Sequence, residues 1–273
     1  MSEIKLIATD IDNTLLNSKK QITPRAKKAL QLAEAKGIHL CLVSGRPVSA
    51  LRYLQEELEI PVGYGSLNGS FSLFSDMVIG SHSIPYDQLK TIITFLRKYH
   101  CIINIYAQDN WYTEPGDWTY EMESKMLHIK GIITEDLLRF VEESDENSLP
   151  FYKLVITHKE GNVIQALEKD LEYLNLGINV YQSAPKFIEI NSAGIDKGLA
   201  VREFASYWNI NLGEVFAIGD YFNDLSMLQT AGVSVAMLNA PDEVKKSAVS
   251  VSSEDMDHDG FAIEIEKILT NQK

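Results

Sequence analysis

Apolar residues fall along this chain in short unbroken runs separated by stretches of helical periodicity. Leu6-Ile-Ala8, His39-Leu-Cys-Leu-Val43 and Val215-Phe-Ala-Ile218 lack the alternation of a half-exposed strand, and Val233-Ser-Val-Ala-Met237 gives one more strand further on. The first three predict strands covered on both faces. Between the first two, Ala26, Ala29, Leu30 and Ala33 recur at three- and four-residue spacing, with Thr23 as N-cap, Pro24 at the first helical position and Gly37 past the end. That is a helix with both of its end signals. Further helical faces are Leu51, Leu54 and Leu58; then Val201, Phe204, Ala205 and Trp208; then Leu225, Met227 and Leu228; a last helix opens at Asp259-Gly260-Phe261. Strand-helix-strand units of this kind imply parallel pairing with right-handed crossovers.

The pattern changes in the middle of the chain. From Pro61 to Gly80, apolar runs alternate with turn residues, Asn68-Gly69 among them, and suggest short strands and a hairpin. From Ser83 to Pro185 comes a helix face (Leu89, Ile92, Ile93, Leu96, Tyr99), then strands at Ile102–Ala107 and Trp111–Thr113. An acidic, helix-leaning stretch from Trp118 to Asn147 follows, and then the order repeats: a strand at Phe151–Thr157, a helix through Val163, Leu167 and Leu171, and a strand at Ile178–Tyr181. The reading is an α/β chain with a Rossmann-like parallel-sheet core, residues 1–82 and 186–273, interrupted by an inserted α+β domain, residues 83–185. The core is expected to resume at Phe187-Ile-Glu-Ile-Asn191.

Composition narrows the function. Of 273 residues, 45% are hydrophobic and 23% charged, as in an ordinary globular protein, and 25 Lys plus Arg stand against 38 Asp plus Glu for a net charge of -13. Such a field argues against nucleic acid or an anionic membrane as a partner. It also means that a site handling anions must carry its own positive charge. Cys41 and Cys101 are too few for a disulfide framework. No basic-plus-apolar leader and no apolar run of membrane-spanning length are legible, so the expected address is the cytoplasm.

The chemistry sits at the ends of the buried strands. The first delivers Asp10 and Asp12; the second ends in Ser44-Gly45-Arg46-Pro47; Gly194-Ile-Asp-Lys-Gly198 opens a helix with Asp196 as its N-cap and Lys197 in its first turn; the next strand ends in Gly219-Asp220-Tyr-Phe-Asn223-Asp224. Taken singly, each has an ordinary structural explanation: a capped turn, a Ser-Gly turn before a helix, a solvated lysine. Two features resist it. A hydroxyl and exposed N–H groups at a strand end opening a helix make a phosphate site. A lysine in the first turn opposes the helix dipole, so something else must justify it.

In this order and spacing the four segments resemble motifs I to IV of the haloacid dehalogenase-like phosphatase superfamily, and the segments around Asn239-Ala-Pro and Asp259-Gly260-Phe261 resemble the tail of its Cof-type branch. The insert, lying between motifs II and III, is similar to that branch's C2-type cap. Departures are Asn13 and Leu238, where the family commonly has Gly, and Ser44, where Thr is usual. The resemblance implies a phosphomonoester hydrolase acting on small metabolites, sugar phosphates foremost. Asp10 would be the nucleophile, forming an aspartyl-phosphate, and Asp12 the general acid and base. Lys197, Ser44, the backbone at Ile11 and Gly45, Asn223 and Arg46 would hold the phosphoryl group, with Asn68 near the substrate. Strand ends at a switch point face one crevice, and several carboxylates brought together there call for a hard divalent cation. Mg²⁺ would be bound by the side chains of Asp10 and Asp220 and the carbonyl of Asp12, with Asp224 orienting metal-bound water. The alternatives are a sugar-phosphate phosphomutase, which would transfer to a second hydroxyl, and a phosphate-sensing domain, which would have no need of all four motifs.

Overall fold

The structure, a computed structural model, describes residues 3–271. The chain forms two compact units: Met1–Gly45, Leu51–Gly80 and Asp196–Lys273 make the first, Arg46–Ala50 and Ser81–Ile195 the second. In chain order the first unit begins with β1 (Leu6–Thr9), α1 (Pro24–Ala35), β2 (His39–Val43), α2 (Arg52–Leu58), β3 (Gly63–Ser66), β4 (Phe71–Phe74) and β5 (Met77–Ser81). The second unit contributes α3 (Tyr86–Leu96), β6 (Ile102–Tyr106), β7 (Trp111–Thr113), α4 (Tyr120–Leu127), β8 (Ile132–Ile133), α5 (Leu137–Glu143), β9 (Lys153–Thr157), α6 (Gly161–Tyr173), β10 (Ile178–Ala184) and β11 (Phe187–Ser192). The first unit then closes with α7 (Lys197–Tyr207), β12 (Val215–Gly219), α8 (Leu225–Thr230), β13 (Val233–Ala236), α9 (Asp242–Ser247), β14 (Ser250–Val251) and α10 (Gly260–Asn271).

The first unit is built on a sheet of order β14-β13-β12-β1-β2-β3-β4-β5, parallel from β14 to β3. Its centre is buried on both faces. Leu6, Ala8, Cys41, Val43, Val215 and Ala217 pack against Val201, Phe204 and Ala205 of α7 and Met227 and Leu228 of α8, while Ile7, Leu40, Leu42, Phe216 and Ile218 are buried on the other side. This is why the central strands read as unbroken apolar runs. The glycines of β3 have a packing cause: a Cβ on Gly63 would lie 2.7 Å from the Phe204 ring, and one on Gly65 2.7 Å from the Ala200 methyl. The strand is thin so that α7 can lie on it.

The second unit is a sheet of order β10-β11-β9-β6-β7-β8, antiparallel except for the β7–β8 pair. One face carries Ile103, Ile105, Leu154, Ile156, Ile188 and Ile190, packed with Leu89, Ile92 and Ile93 of α3 and Ile164, Leu167 and Leu171 of α6. Most of the alternate positions are polar or aromatic, Asn104, Tyr106, Lys153, Thr157, Glu189 and Asn191, with the apolar Val155 in their midst. There Lys153 Nζ lies 3.2 Å from Glu189, and the Tyr181 hydroxyl donates to Glu189 and Asn191 at 3.1 and 3.2 Å.

Two boundaries differ from the sequence expectation. Phe187–Ser192 does not return to the parallel sheet; it pairs antiparallel with β9 and β10, and the first unit resumes only at Asp196. The alternation Ile188-Glu-Ile190-Asn is that of a strand with one apolar face, unlike the runs of the core strands. Arg46–Ala50 also belongs to the second unit, where the Val48 N–H and the Ser49 hydroxyl donate to the carbonyls of Gln108 and Asp109 at 3.2 and 2.7 Å. Cys41 and Cys101 are free thiols. Among the described residues, no helix is long and apolar enough to cross a membrane.

Candidate active site

Three neighbouring strands, β12, β1 and β2, end side by side and carry Asp220, Asp10 and Ser44 at their carboxyl ends. The backbone there stays tied to the sheet. The Asp10 N–H donates to Ile218 O and the Ser44 N–H to Gly65 O, both at 2.9 Å. After β12 a 3-10 turn, Phe222–Asp224, brings Asp224 back under the strand end, where its Oδ2 accepts the N–H groups of Asp220 at 2.8 Å and Tyr221 at 2.9 Å. Asp10, Asp220 and Asp224 each offer a carboxylate oxygen, all within 4.8 Å of one another, and all three are buried.

Lys197 enters this cluster from the first turn of α7. The Asp196 side chain caps the helix by accepting from the Leu199 N–H at 2.7 Å. Gly198 lets the turn approach α8 closely, since a Cβ there would lie 2.6 Å from Ser226 O. With only 1% of its surface exposed, Lys197 donates to Asp10 Oδ1 at 2.5 Å and to Asp224 Oδ1 at 2.6 Å. These contacts outweigh the misplacement against the helix dipole.

The electrostatics follow from the count. Three carboxylates against one ammonium leave two negative charges in a buried volume. Burial first, and then the charge of Asp224, push the Asp10 carboxyl well above its usual range, with Lys197 opposing. The same two causes raise Asp220 to about 6, with the Thr14 hydroxyl opposing. Burial works against the charge on Lys197, but Asp10 and Asp224 overcome it and hold the ammonium above its ordinary pKa. All-oxygen donors short by two positive charges fit a hard divalent cation. Asp224 is the most tightly tied of the three, its Oδ1 accepting from the Lys197 ammonium and its Oδ2 from two main-chain N–H groups, whereas the Asp220 oxygens accept only longer bonds from neutral side chains, Thr14 and Asn239.

Other predicted residues fall around this centre. Asn223 Nδ2 donates to Asn68 Oδ1 at 3.3 Å, and the Asn68 N–H donates to Ser44 O at 2.9 Å, which links motif IV to the end of β2. Leu67, Asn68 and Gly69 all have positive φ, so the chain turns sharply there. Asn13 has φ 61°. A left-handed position in motif I is tolerated by Asn, which explains how it can stand where Gly is common. The Asp12 side chain lies outside the three-carboxylate cluster, half-exposed and joined to Lys20 at 2.8 Å. Arg46 lies in the second unit.

Three further side chains contact these carboxylates, and the sequence assigns none of them a role. Thr14 Oγ1 donates to Asp220 Oδ1 at 3.0 Å, and Asn239 Nδ2 donates both to Asp220 Oδ2 at 3.3 Å and to the Asn13 carbonyl at 3.1 Å. Lys20 on Asp12 is the third. Thr14 and Asn239 lie inside segments that the motif pattern marks, though with no role attached; nothing in the sequence marks Lys20.

The sequence profile of haloacid dehalogenase-like hydrolases matches residues 7–265. The chain belongs to that family. Its relatives include YxeH of Bacillus subtilis, provisionally named a phosphatase, 32% identical over 89% of this chain and 91% of that protein. YcsE of the same organism, a 5-amino-6-(5-phospho-D-ribitylamino)uracil phosphatase, is 28% identical over 95% of this chain and 94% of that one. The crystal structure of a haloacid dehalogenase-like hydrolase from Bacteroides thetaiotaomicron superposes with a TM-score of 0.87 at 33% identity, covering 97% of this chain and 100% of that one. This haloacid dehalogenase-like hydrolase is a phosphatase.

Proposed function

We propose that the chain is a Mg²⁺-dependent phosphatase of small phosphomonoesters that works through an aspartyl-phosphate on Asp10, with phosphorylated sugars and sugar alcohols as its substrate class. The observation that carries the reading is the buried cluster of Asp10, Asp220 and Asp224 around Lys197, two positive charges short. Asp10 and Asp220 would hold the cation by their carboxylates and Asp12 by its main-chain carbonyl, while Asp224 orients its water. Bound there, Mg²⁺ offsets the surplus charge and polarises the phosphoryl oxygens.

In the first step an Asp10 oxygen attacks phosphorus, the bond to the ester oxygen breaks, and Asp12 gives that oxygen a proton. In the second, Asp12 takes a proton from the water that attacks the aspartyl-phosphate; the Asp10–phosphorus bond breaks and inorganic phosphate leaves. Lys197 keeps Asp10 aimed and shares its charge throughout. The Ser44 hydroxyl, the N–H groups of Ile11 and Gly45, and Asn223 hold the phosphoryl oxygens, where charge stabilisation counts most. Substrate choice we assign to the second unit. In its favour are the polar sheet face with Lys153, Glu189, Tyr181 and Asn191, chemistry suited to hydroxyl groups, and the named substrate of YcsE, a phosphate on a ribityl chain.

The test is a metal-reconstitution assay on p-nitrophenyl phosphate. Protein stripped with a chelator should be inactive, regain turnover with Mg²⁺, and gain none when Asp10 or Asp220 is replaced by Asn. Full turnover in the chelator would overturn the reading.

A further inference from the structure

Between motif I and α1 the chain makes a small, heavily tied turn. Asn17 N–H donates to Gln21 O at 3.1 Å, Lys20 N–H donates to Asn17 O at 2.9 Å, and the Asn17 side-chain oxygen accepts from the N–H groups of Lys19 and Gln21, both at 3.0 Å. Leu16 anchors it on either side, through bridges to Asp12 and Ile22. At its tip Lys20 has φ 59°. A left-handed conformation costs an ordinary L residue on the order of 1–2 kcal/mol and suits Gly or Asn better. Yet a lysine stands there, and its Nζ reaches Asp12 Oδ1 at 2.8 Å.

Stability does not account for this choice. The two side chains are 50% and 33% exposed, and exposed ion pairs contribute roughly 0–1 kcal/mol. The pair is therefore no recompense for the strained backbone under it. What the arrangement does achieve is orientation: a half-exposed carboxyl on a turn meets a side chain whose own turn is fixed by four hydrogen bonds.

We propose that Lys20 is a positioning residue for the phosphatase reaction, fixing the Asp12 carboxyl so that it meets the ester oxygen when the bond to phosphorus breaks. The inference rests on Asp12 being the proton donor. Lys20 touches neither phosphorus nor nucleophile, so its removal should leave the attack of Asp10 in place and harm only the transfer of the proton.

The test compares phenyl phosphate with p-nitrophenyl phosphate, esters of nearly the same shape whose leaving groups need the proton to very different degrees. The quantity read is kcat/KM, which reports the step up to release of the phenol. Lys20→Met should lose about tenfold or more with phenyl phosphate relative to its loss with p-nitrophenyl phosphate, in line with what misplacement of a general acid costs. Lys20→Arg, which keeps a donor of similar reach, should recover most of that difference. Equal losses on the two esters, or an Arg variant no better than Met, would overturn the proposal. Asp12→Asn in the same assay separates the two layers of the argument. If it shows the leaving-group dependence and Lys20→Met does not, the Lys20 assignment alone fails; if neither shows it, the acid role of Asp12 fails, and the Lys20 role falls with it.

Discussion

A single methyl group placed at Gly219 should disturb the metal site more than it disturbs the fold. Gly219 closes β12 with an ordinary negative φ, so alanine meets no backbone penalty there. Its Cβ would, however, sit 2.6 Å from Asp224 Cγ and Oδ2 and 2.7 Å from Asp224 Cβ. Real Cβ atoms do not approach so closely, so Asp224 must move. It is fully buried and tied to Lys197 and to the N–H groups of Asp220 and Tyr221, so it cannot move without loosening those bonds. Overpacking of this kind costs about 1–3 kcal/mol, which for a chain of this size is a fall in Tm of roughly 2–12 °C. Displacing a group that orients metal ligands lowers affinity by about 10–100-fold. Thermal melts across a Mg²⁺ titration measure both. Gly232→Ala is the control, because its Cβ would meet the backbone of Gly213 at 2.5 Å; it should lower Tm while leaving Mg²⁺ affinity as in the wild type. Gly219→Ala with unchanged Mg²⁺ affinity would refute the claim that Asp224 is held in place for the metal.

Other outcomes follow from the same geometry. Asp10→Asn should lower turnover by more than about a hundredfold, some 2.7 kcal/mol of barrier, with a circular dichroism spectrum like the wild type; a smaller loss argues against covalent catalysis. Ca²⁺ should inhibit rather than replace Mg²⁺, because the larger ion accepts looser and bidentate carboxylate contacts that would occupy the Asp10 nucleophile; full activity in Ca²⁺ would contradict this. In the metal-free protein, Asp220 is raised from 3.8 to about 6 by burial and by Asp224, so its contribution to stability is present in full below the unfolded value and is lost as the pH rises through 6. With a chelator present, the advantage in Tm of Asp220→Asn over wild type should widen between pH 3 and 7, by a stability difference on the order of 3 kcal/mol, most of it between pH 4 and 6; a constant difference would show that the carboxyl is not so perturbed. Tyr181→Phe removes a hydroxyl that donates to Glu189 and Asn191, and should reorder turnover among sugar phosphates more than it changes turnover of p-nitrophenyl phosphate.

The parts of the fold legible in the sequence are those where one physical cause dominates. Doubly buried strands such as Leu6–Thr9 and Val215–Gly219 announce themselves as unbroken apolar runs, and α1 shows its Thr23 cap and Pro24 start. The boundary near Pro185 is not legible in the sequence because β11 is also apolar-rich, and only its partners, β9 and β10, decide which sheet it joins. The site divides in the same way. Carboxylates at strand ends, and a lysine placed against a helix dipole, are conspicuous because local structure gives them no other reason to be there. Asn239 and Lys20 act on Asp220 and Asp12 across 19 and 8 residues through side-chain reach alone, and no local pattern encodes that.

The central claim is that Asp10 carries the phosphoryl group. Metal-loaded protein can be mixed with excess p-nitrophenyl phosphate, quenched in acid within the first turnover, digested and examined by mass spectrometry. The account predicts one added phosphoryl group on the peptide spanning the end of β1, assigned to Asp10, formed at the rate of p-nitrophenol release and missing from the Asp10→Asn protein. Release of a full equivalent of p-nitrophenol with that peptide unmodified, or with the phosphoryl group on another residue, would contradict it.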